Sequence, residues 1–275
     1  MATFVETQDV NIIIDPSVRL APLRYNLPPH PIEIQKMEEL WQKIVEYTKQ
    51  ADIILITHYH YDHHNPEAPE LFKDKILIIK NPEENINHNQ KIRAREFLSK
   101  ISLYPRRIHF ADGLNFHFKK TTIKCSNAVF HGVTNYTGYV FETLIAEDNK
   151  EKLIFTSDVC GLIRTEQVEF IIENKPDVII ADGPSYRYSN EAWETSINNA
   201  ARIITNTNLT TFIIDHHLLR DLRYSDYFRK LNNIIKSVPK INLTTAAEYL
   251  KSEVSLLEAK RKELYELYPI KPASG

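Results

Sequence analysis

The chain has 275 residues, of which 43% are hydrophobic and 25% charged, which suits one large globular domain or two small ones. Its formal net charge of −2 gives no overall field to attract a long nucleic acid or a membrane surface, and its two cysteines cannot build a disulfide framework. With no basic and apolar leader and no apolar run long enough to span a membrane, we expect a soluble cytoplasmic protein.

The first half of the chain alternates β-branched runs with helical patterns. Residues 10–15 are predicted to form a strand, which leads through a proline-bearing loop into a helix. Apolar positions of that helix recur at spacings of three and four and predict one buried face: Met37, Leu40, Trp41, Ile44, Val45 and Thr48. An apolar strand is expected at 52–57, another strand at 76–80 and a helix at 87–98.

The second half begins with a meander of strands, predicted over residues 107–158. Helices at 165–174 and 190–205 then alternate with strands at 177–181 and 210–214. The pattern predicts an α/β (α+β) protein with sheets flanked by helices. Since no linker or repeat divides the chain, we expect a single domain over residues 1–275, with 244–275 as a C-terminal helical extension.

Several metal-binding side chains follow the apolar strand at 52–57. They are His58, His60, Asp62 and His63. Alternate residues of an extended segment project to the same side, so the first three should converge. Imidazole and carboxylate are donors that zinc, iron and manganese accept, whereas buried histidines without a metal would leave polar atoms unsatisfied. The pattern therefore favours a metal site over a loop that is rich in histidine by chance.

This His-x-His-x-Asp-His pattern after an apolar strand resembles the signature of the metallo-β-lactamase superfamily. The resemblance covers residues 1–220 and implies an αββα four-layer sandwich. It also implies later ligands at strand ends, and the candidates occur in the expected order: His131, Asp158, and then His216 or His217. The segments Phe130-His131-Gly132 and Gly138-Tyr139-Val140 are similar to those of a microbial branch of the superfamily, which implies no substrate.

The resemblance implies two divalent metal ions, with zinc favoured and iron or manganese as alternatives. One ion would be held by His58, His60 and His131, the other by Asp62, His63 and His216, with Asp158 bridging them. His216 is favoured over His217 because it is the first histidine after its strand. His64 is expected to lie beside the ligands rather than among them. Because the chain begins almost inside an early strand, we expect the family's N-terminal hairpin to be shortened or absent.

A pair of metal ions implies a hydrolase that uses a metal-activated hydroxide, with Asp62 as the catalytic group that orients the water. We expect a small or short phosphorylated substrate, cleaved at a phosphodiester or phosphoester. Carboxylic ester, thioester and lactone hydrolysis are the alternatives. Further side chains are candidates to orient a ligand or contact substrate, although turn caps and local salt bridges are competing interpretations of some of them: His217, His64, Asp182, Asp215, Arg187 and Arg220.

A di-iron redox protein is the rival from another functional class. Redox proteins on this fold typically carry glutamate at the position of His60, and the sequence has no flavin-binding partner domain, so hydrolysis is favoured. Cys125 and Cys160 are interpreted as small buried hydrophobic residues.

Overall fold

The strands are short and consist mainly of β-branched and aromatic residues, which pack well on a pleated surface. The computed structural model describes residues 1–236, 238 and 241–270. Its strands are β1 Thr3–Glu6, β2 Asn11–Ile14, β3 Ile53–Ile56, β4 Ile76–Ile79, β5 Arg107–Phe110, β6 Asn115–Phe118, β7 Thr121–Cys125, β8 Val129–Phe130, β9 Tyr139–Val140, β10 Thr143–Glu147, β11 Lys152–Phe155, β12 Val178–Asp182, β13 Thr211–Asp215 and β14 Asn242–Thr244.

These strands form two large sheets and a small ribbon. The first sheet has the order β1-β2-β3-β4-β5, antiparallel between β1 and β2 and parallel from β2 onward. The second has the order β14-β13-β12-β11-β10-β7-β6, with β11 to β14 parallel and the rest antiparallel. The strands β8 and β9 pair with each other outside both sheets.

The described part of the chain contains seven α-helices. They are α1 Pro31–Gln50, α2 His88–Ile101, α3 Thr165–Asn174, α4 Asn190–Asn206, α5 Tyr224–Ile234, α6 Ala246–Tyr249 and α7 Arg261–Leu267. None of the described helices is both long enough and apolar enough to cross a lipid bilayer.

The buried residues divide into three clusters that define the layers. Between the sheets, Ile12 and Leu55 of the first sheet pack with Ile145 and Phe155 of the second. Outside the first sheet, Ile54 and Leu77 pack against Phe97 of α2. Outside the second sheet, Ile179 and Phe212 pack against α3, α4 and α5. The predicted αββα sandwich is confirmed.

Three local predictions need correction. The N-terminal hairpin, expected to be shortened or absent, is present with strands of four residues, because β1 pairs with β2 over its full length. The stripe on α1 is only half-buried: Thr48 is buried, but Leu40 is 40% exposed. Spacing defines the inward face of a helix but not how much of the protein covers it. The predicted meander is interrupted, since β5 pairs in parallel with β4 in the first sheet.

The C-terminal segment is less helical than expected. The strand β14 occupies residues 242–244, and only the short helices α6 and α7 follow it. The single domain over residues 1–275 stays a prediction, and residues 271–275 lie outside the described part of the chain.

Candidate metal centre

Most of the candidate ligands lie at the ends of parallel strands, where the two sheets open toward a common rim. His58 follows β3, Asp158 follows β11 and His216 follows β13, while His131 comes directly after β8. The carboxyl ends of parallel strands meet at one edge of a sheet, so residues far apart in sequence come together there.

The structure brings the seven candidate ligands into two overlapping groups. One contains His58, His60, His131 and Asp158, and the other Asp62, His63, His216 and Asp158. Within each group the potential ligand atoms all lie within 4.8 Å of one another. Asp158 is the shared member, so one buried carboxylate belongs to both groups.

Asp158 is the centre of the arrangement. Its Oδ2 lies 3.1 Å from Nε2 of His63, 3.3 Å from Nε2 of His131 and 3.4 Å from Nε2 of His216. The Nε2 of His58 is 3.8 Å away. Four imidazoles therefore present the same ring nitrogen toward one buried carboxylate.

Several of these buried atoms have no hydrogen-bond partner among the described residues. They are Nε2 of His58, His63 and His216 and Oδ1 of Asp158. A buried polar atom without a partner costs about 1–3 kcal/mol. The chemistry of the donors, imidazole nitrogen and carboxylate oxygen, fits divalent transition metals such as zinc. The orphaned atoms and their donor chemistry thus both fit bound metal ions.

Hydrogen bonds on the far side of the rings hold two of the imidazoles. Asp15 Oδ2 accepts from His63 Nδ1 at 2.8 Å and from the Thr57 hydroxyl at 2.6 Å. The hydroxyls of Thr57 and Ser157 lie 3.2 and 3.4 Å from His58 Nδ1. A carboxylate only accepts hydrogen bonds, so Nδ1 of His63 carries the proton and the Nε2 lone pair faces the cluster in the neutral tautomer.

The backbone at the rim is strained. Asp15, Ser157 and His216 have φ values of 50°, 58° and 56°, in the left-handed region that non-glycine residues seldom adopt. Such conformations persist where the surrounding structure imposes them, and they concentrate at functional sites.

Burial and neighbouring charges shift the pKa values of the imidazoles in opposite directions. Burial, together with nearby histidines, lowers the pKa of His60 to about 3, and burial lowers that of His216 to about 4. For His63, burial lowers the pKa, but Asp158, Asp15 and Asp62 outweigh it and raise the value to about 10. His60 and His216 are therefore neutral at pH 7, while His63 carries a proton when no metal is bound.

The carboxylates of the centre stay ionised despite their burial. Burial raises the pKa of Asp62, but His63 and other cationic neighbours outweigh it and hold the pKa below its usual range. Asp158 behaves likewise, because His216 and His63 outweigh its burial. Ionised carboxylates are what a divalent cation requires.

His217 takes a different place from His216. Its Nδ1 lies 2.8 Å from Asp182 Oδ2, and its backbone N–H donates to the same carboxylate. Burial lowers the pKa of His217, but Asp182 outweighs it and raises the value to about 10. Asp182 was expected to orient a ligand imidazole, whereas the structure pairs it with His217, outside the two ligand groups.

Two further candidates make contacts outside the ligand groups. His64 packs between Tyr59 and Phe97, away from the ligand groups. Asp215 accepts from the backbone N–H groups of His216 and Ala246 rather than from an imidazole.

The two candidate arginines differ in their proximity to the centre. Arg220 places Nη2 3.8 Å from Asp62 Oδ2, beside the second ligand group. Arg187 is exposed and contacts Tyr186 instead.

Sequence reasoning missed the groups that hold the imidazoles, namely Asp15, Thr57 and Ser157. Asp15 offered a signal, since it is an aspartate at the end of a predicted strand. Cys160 is buried, as expected, but its Sγ lies 3.6 Å from His131 Nδ1, so it also contacts a candidate ligand.

No protein-family model matches the chain. Curated relatives include a UPF0282 protein of Korarchaeum cryptofilum, 45% identical over 98% of this chain and 91% of the relative. A UPF0282 protein of Metallosphaera sedula is 43% identical over 96% of this chain and 87% of the relative.

Solved structures resemble the chain at the level of the fold. The isothiocyanate hydrolase from Delia radicum gut bacteria has a TM-score of 0.56 at 15% identity, covering 88% of this chain and 92% of that one. CmlA, a diiron β-hydroxylase from Streptomyces venezuelae, has a TM-score of 0.54 at 10% identity, covering 89% and 51%. Unliganded yeast PDE1 has a TM-score of 0.53 at 14% identity, covering 80% and 75%.

Proposed function

The chain belongs to the UPF0282 family and has the αββα fold of the metallo-β-lactamase superfamily, and from this premise we propose that it is a hydrolase with two divalent metal ions. The observation that carries the proposal is the position of Asp158, whose carboxylate lies between two ligand groups with orphaned Nε2 atoms. The fold shared with an isothiocyanate hydrolase supports hydrolysis as the reaction type.

The seven side chains divide between the two ions as their geometry suggests. His58, His60 and His131 would hold one ion, while Asp62, His63 and His216 would hold the other, with Asp158 shared. Zinc is the expected ion because it accepts this mixture of nitrogen and oxygen donors, and iron and manganese are the alternatives. When bound, such ions lower the pKa of water toward neutrality and polarise the bond that is hydrolysed.

The protein itself supplies orientation and charge. Asp62 is ionised at neutral pH and borders His63, His216 and Arg220, so its carboxylate can accept a hydrogen bond from a water molecule and fix its direction. Asp15 holds the His63 ring, and Thr57 and Ser157 border that of His58, which keeps the ligands in one arrangement through turnover.

We place phosphodiesters and phosphoesters ahead of other substrates, with small or short phosphorylated molecules as the expected class. Arg220 supports this choice, because a guanidinium beside Asp62 offers forked donors that match phosphate oxygens. Carboxylic esters, thioesters and lactones are the alternative, since the same metal chemistry attacks an acyl centre.

Metal analysis of the purified protein, followed by a chromogenic substrate screen, tests this proposal. We expect about two metal ions per chain, as the shared carboxylate implies, and turnover of bis-aryl phosphates. His60→Ala should abolish turnover, whereas His117→Ala, on the exposed surface of β6, should leave it unchanged. Activity only on acyl substrates would overturn the phosphoester assignment, and a protein without stoichiometric metal would overturn the hydrolase itself.

A di-iron redox function is the second candidate, because CmlA, a diiron β-hydroxylase, shares the fold. Redox proteins on this fold typically carry glutamate at the position of His60, which favours hydrolysis here. Bound iron together with consumption of dioxygen would favour the redox function, while hydrolysis under anaerobic conditions would exclude a requirement for dioxygen.

A further inference from the structure

Two neighbouring arginines have no carboxylate at hydrogen-bond distance among the described residues: Arg220, which borders the candidate metal centre, and Arg24, which contacts the backbone of Arg220. Arg220 lies 3.8 Å from Asp62 Oδ2 and 3.6 Å from Glu258 Oε2, and its side chain makes no hydrogen bond to any described residue. Arg24 donates from Nη2 to the Arg220 carbonyl at 2.9 Å, so the two residues are in direct contact.

Arg24 is the more unusual of the two because it is buried without an anion. It is 8% exposed, and its guanidinium carbon lies 3.4 Å from the ring centre of Tyr186 and 4.7 Å from that of Tyr25. Its Nε has no hydrogen-bond partner among the residues that the structure describes. No acidic group of the described chain comes within salt-bridge distance of it; Asp221, whose pKa Arg24 helps to lower, is bound by Arg223. The aromatic rings fix the guanidinium, but no carboxylate of the described chain contacts it directly.

Other arginines of the molecule do have a carboxylate partner. Arg261 is fully buried and has Glu33 as a bidentate partner. Arg202 on α4 pairs with Glu169 of α3. A buried cation normally has a counter-ion, because removing it from water is costly. The missing counter-ion at Arg24 is therefore expected to come from a ligand.

We propose that Arg24 and Arg220 form an anion subsite at the edge of the metal centre, which binds a phosphate group of the substrate other than the one that is hydrolysed. The inference rests on the proposed hydrolase function and narrows its substrate to molecules with at least two phosphate groups. A guanidinium that aromatic rings already hold in place loses little conformational entropy when it binds an anion. Its forked N–H donors are therefore preorganised for phosphate oxygens.

Two dinucleotides with the same scissile bond test the subsite on the full-length, metal-loaded protein. One carries a 5′-phosphate (pApA) and the other does not (ApA). We expect the KM for pApA to be at least tenfold lower. Arg24→Gln and Arg220→Gln should bring the two KM values together, and Arg24→Lys should recover part of the difference because it keeps the charge without the fork. Arg202→Gln, which removes the same charge on the outer helical layer, should keep the full preference.

Equal KM values in the wild type, or a preference that survives both glutamine substitutions, would overturn the subsite while leaving the hydrolase intact.

If neither dinucleotide is cleaved, calorimetry of inorganic phosphate with the chelator-treated full-length chain tests the subsite instead. Binding that Arg24→Gln weakens at least tenfold supports the subsite, and no binding by the wild type refutes it. Acetate that binds as tightly as phosphate would refute the assignment to phosphate. If the wild type does not turn over bis-aryl phosphates, that result contradicts the proposed hydrolase but not the anion subsite. Thermal melting confirms that each variant folds.

Discussion

The molecule buries charged groups in two regions, and the two regions differ in whether the chain itself supplies partners for those groups. In the C-terminal segment, Arg261 and Glu33 are both fully buried and form a bidentate ion pair. The remaining guanidinium donor reaches the carbonyls of Ala21 and Leu27. At the rim of the sheets, Asp158 is equally buried, but its Oδ1 and the Nε2 atoms of three neighbouring imidazoles have no hydrogen bond to any described residue.

This difference in partners distinguishes a cluster that stabilises the fold from a cluster that binds a ligand. The ion pair is complete within the chain, and it joins α7 to the start of α1 without any outside group. The rim cluster is complete only if something else satisfies the orphaned atoms, and their chemistry selects a metal. Substitutions should therefore separate the two regions, with one affecting stability and the other metal binding.

Asp158→Asn should give the largest effect. An amide cannot bridge two cations as a carboxylate does, so we expect loss of metal and a fall in phosphodiester turnover of more than about 100-fold, beyond what groups that merely orient ligands cost. Metal content and initial rates measure it. Asp226→Asn, at the exposed pair with Arg229, is the matched control and should change neither. Full metal content in Asp158→Asn would contradict the claim that the rim cluster, unlike the ion pair, is built to bind metal.

Glu33→Gln should produce the reverse result. It leaves the Arg261 guanidinium buried without its partner, which costs about 3–5 kcal/mol of the free energy of unfolding. Thermal melting should show the loss, whereas metal content per folded chain should stay the same. Glu39→Gln on the exposed side of α1 is the control and should not shift the melting temperature. A variant as stable as the wild type would show that the pair is dispensable.

Asp15→Asn should have an intermediate effect. Asp15 binds no metal in the proposed arrangement, but it holds His63 Nδ1 at 2.8 Å and the Thr57 hydroxyl at 2.6 Å. Groups of this kind are worth about 10- to 100-fold in metal affinity or activity. Competition with a chelating dye measures the affinity. Unchanged affinity in a folded variant would mean that packing alone orients His63.

Much of the fold, and the clustering of the candidate ligands, could be predicted because both leave local signals. The strand at 53–56 is entirely apolar, and His58, His60 and Asp62 follow it at alternate positions, so periodicity and spacing were enough to predict them. The predicted His131, Asp158 and His216 do lie in the ligand groups. Their order along the chain indicated them, through the resemblance to a known superfamily.

The groups around the ligands could not be predicted, because their contacts are long-range. Asp15 meets His63 across 48 residues of sequence, and Asp182 meets His217 across 35. Nothing local indicates which imidazole a strand-end aspartate will reach. The β1–β2 hairpin was missed for a simpler reason: the segment before Asp9 is short and polar at its ends, so its pairing with β2 depends on register rather than on its own pattern.

The smallest predicted effect is the release of a proton from His63 when metal binds. Its pKa in the metal-free chain is about 10, above the ordinary value, because Asp158, Asp15 and Asp62 outweigh its burial. The protonated ring therefore stabilises the metal-free chain below the ordinary histidine pKa of about 6.5, and this contribution disappears as the pH rises through about 10.

A metal ion that binds Nε2 must displace that proton, so metal affinity should rise with pH by about tenfold per unit, or about 1.4 kcal/mol, until the pH reaches the His63 pKa. Calorimetry in buffers of different ionisation enthalpy should detect about one released proton per chain from this residue at pH 7. Asp15→Asn removes one of the carboxylates that raise the pKa, so at about pH 9, near the wild-type His63 pKa, it should release a smaller fraction of a proton than the wild type. Proton release at about pH 9 that is identical in both proteins would show that Asp15 does not set the charge of His63, and that its contribution to the centre is orientation alone.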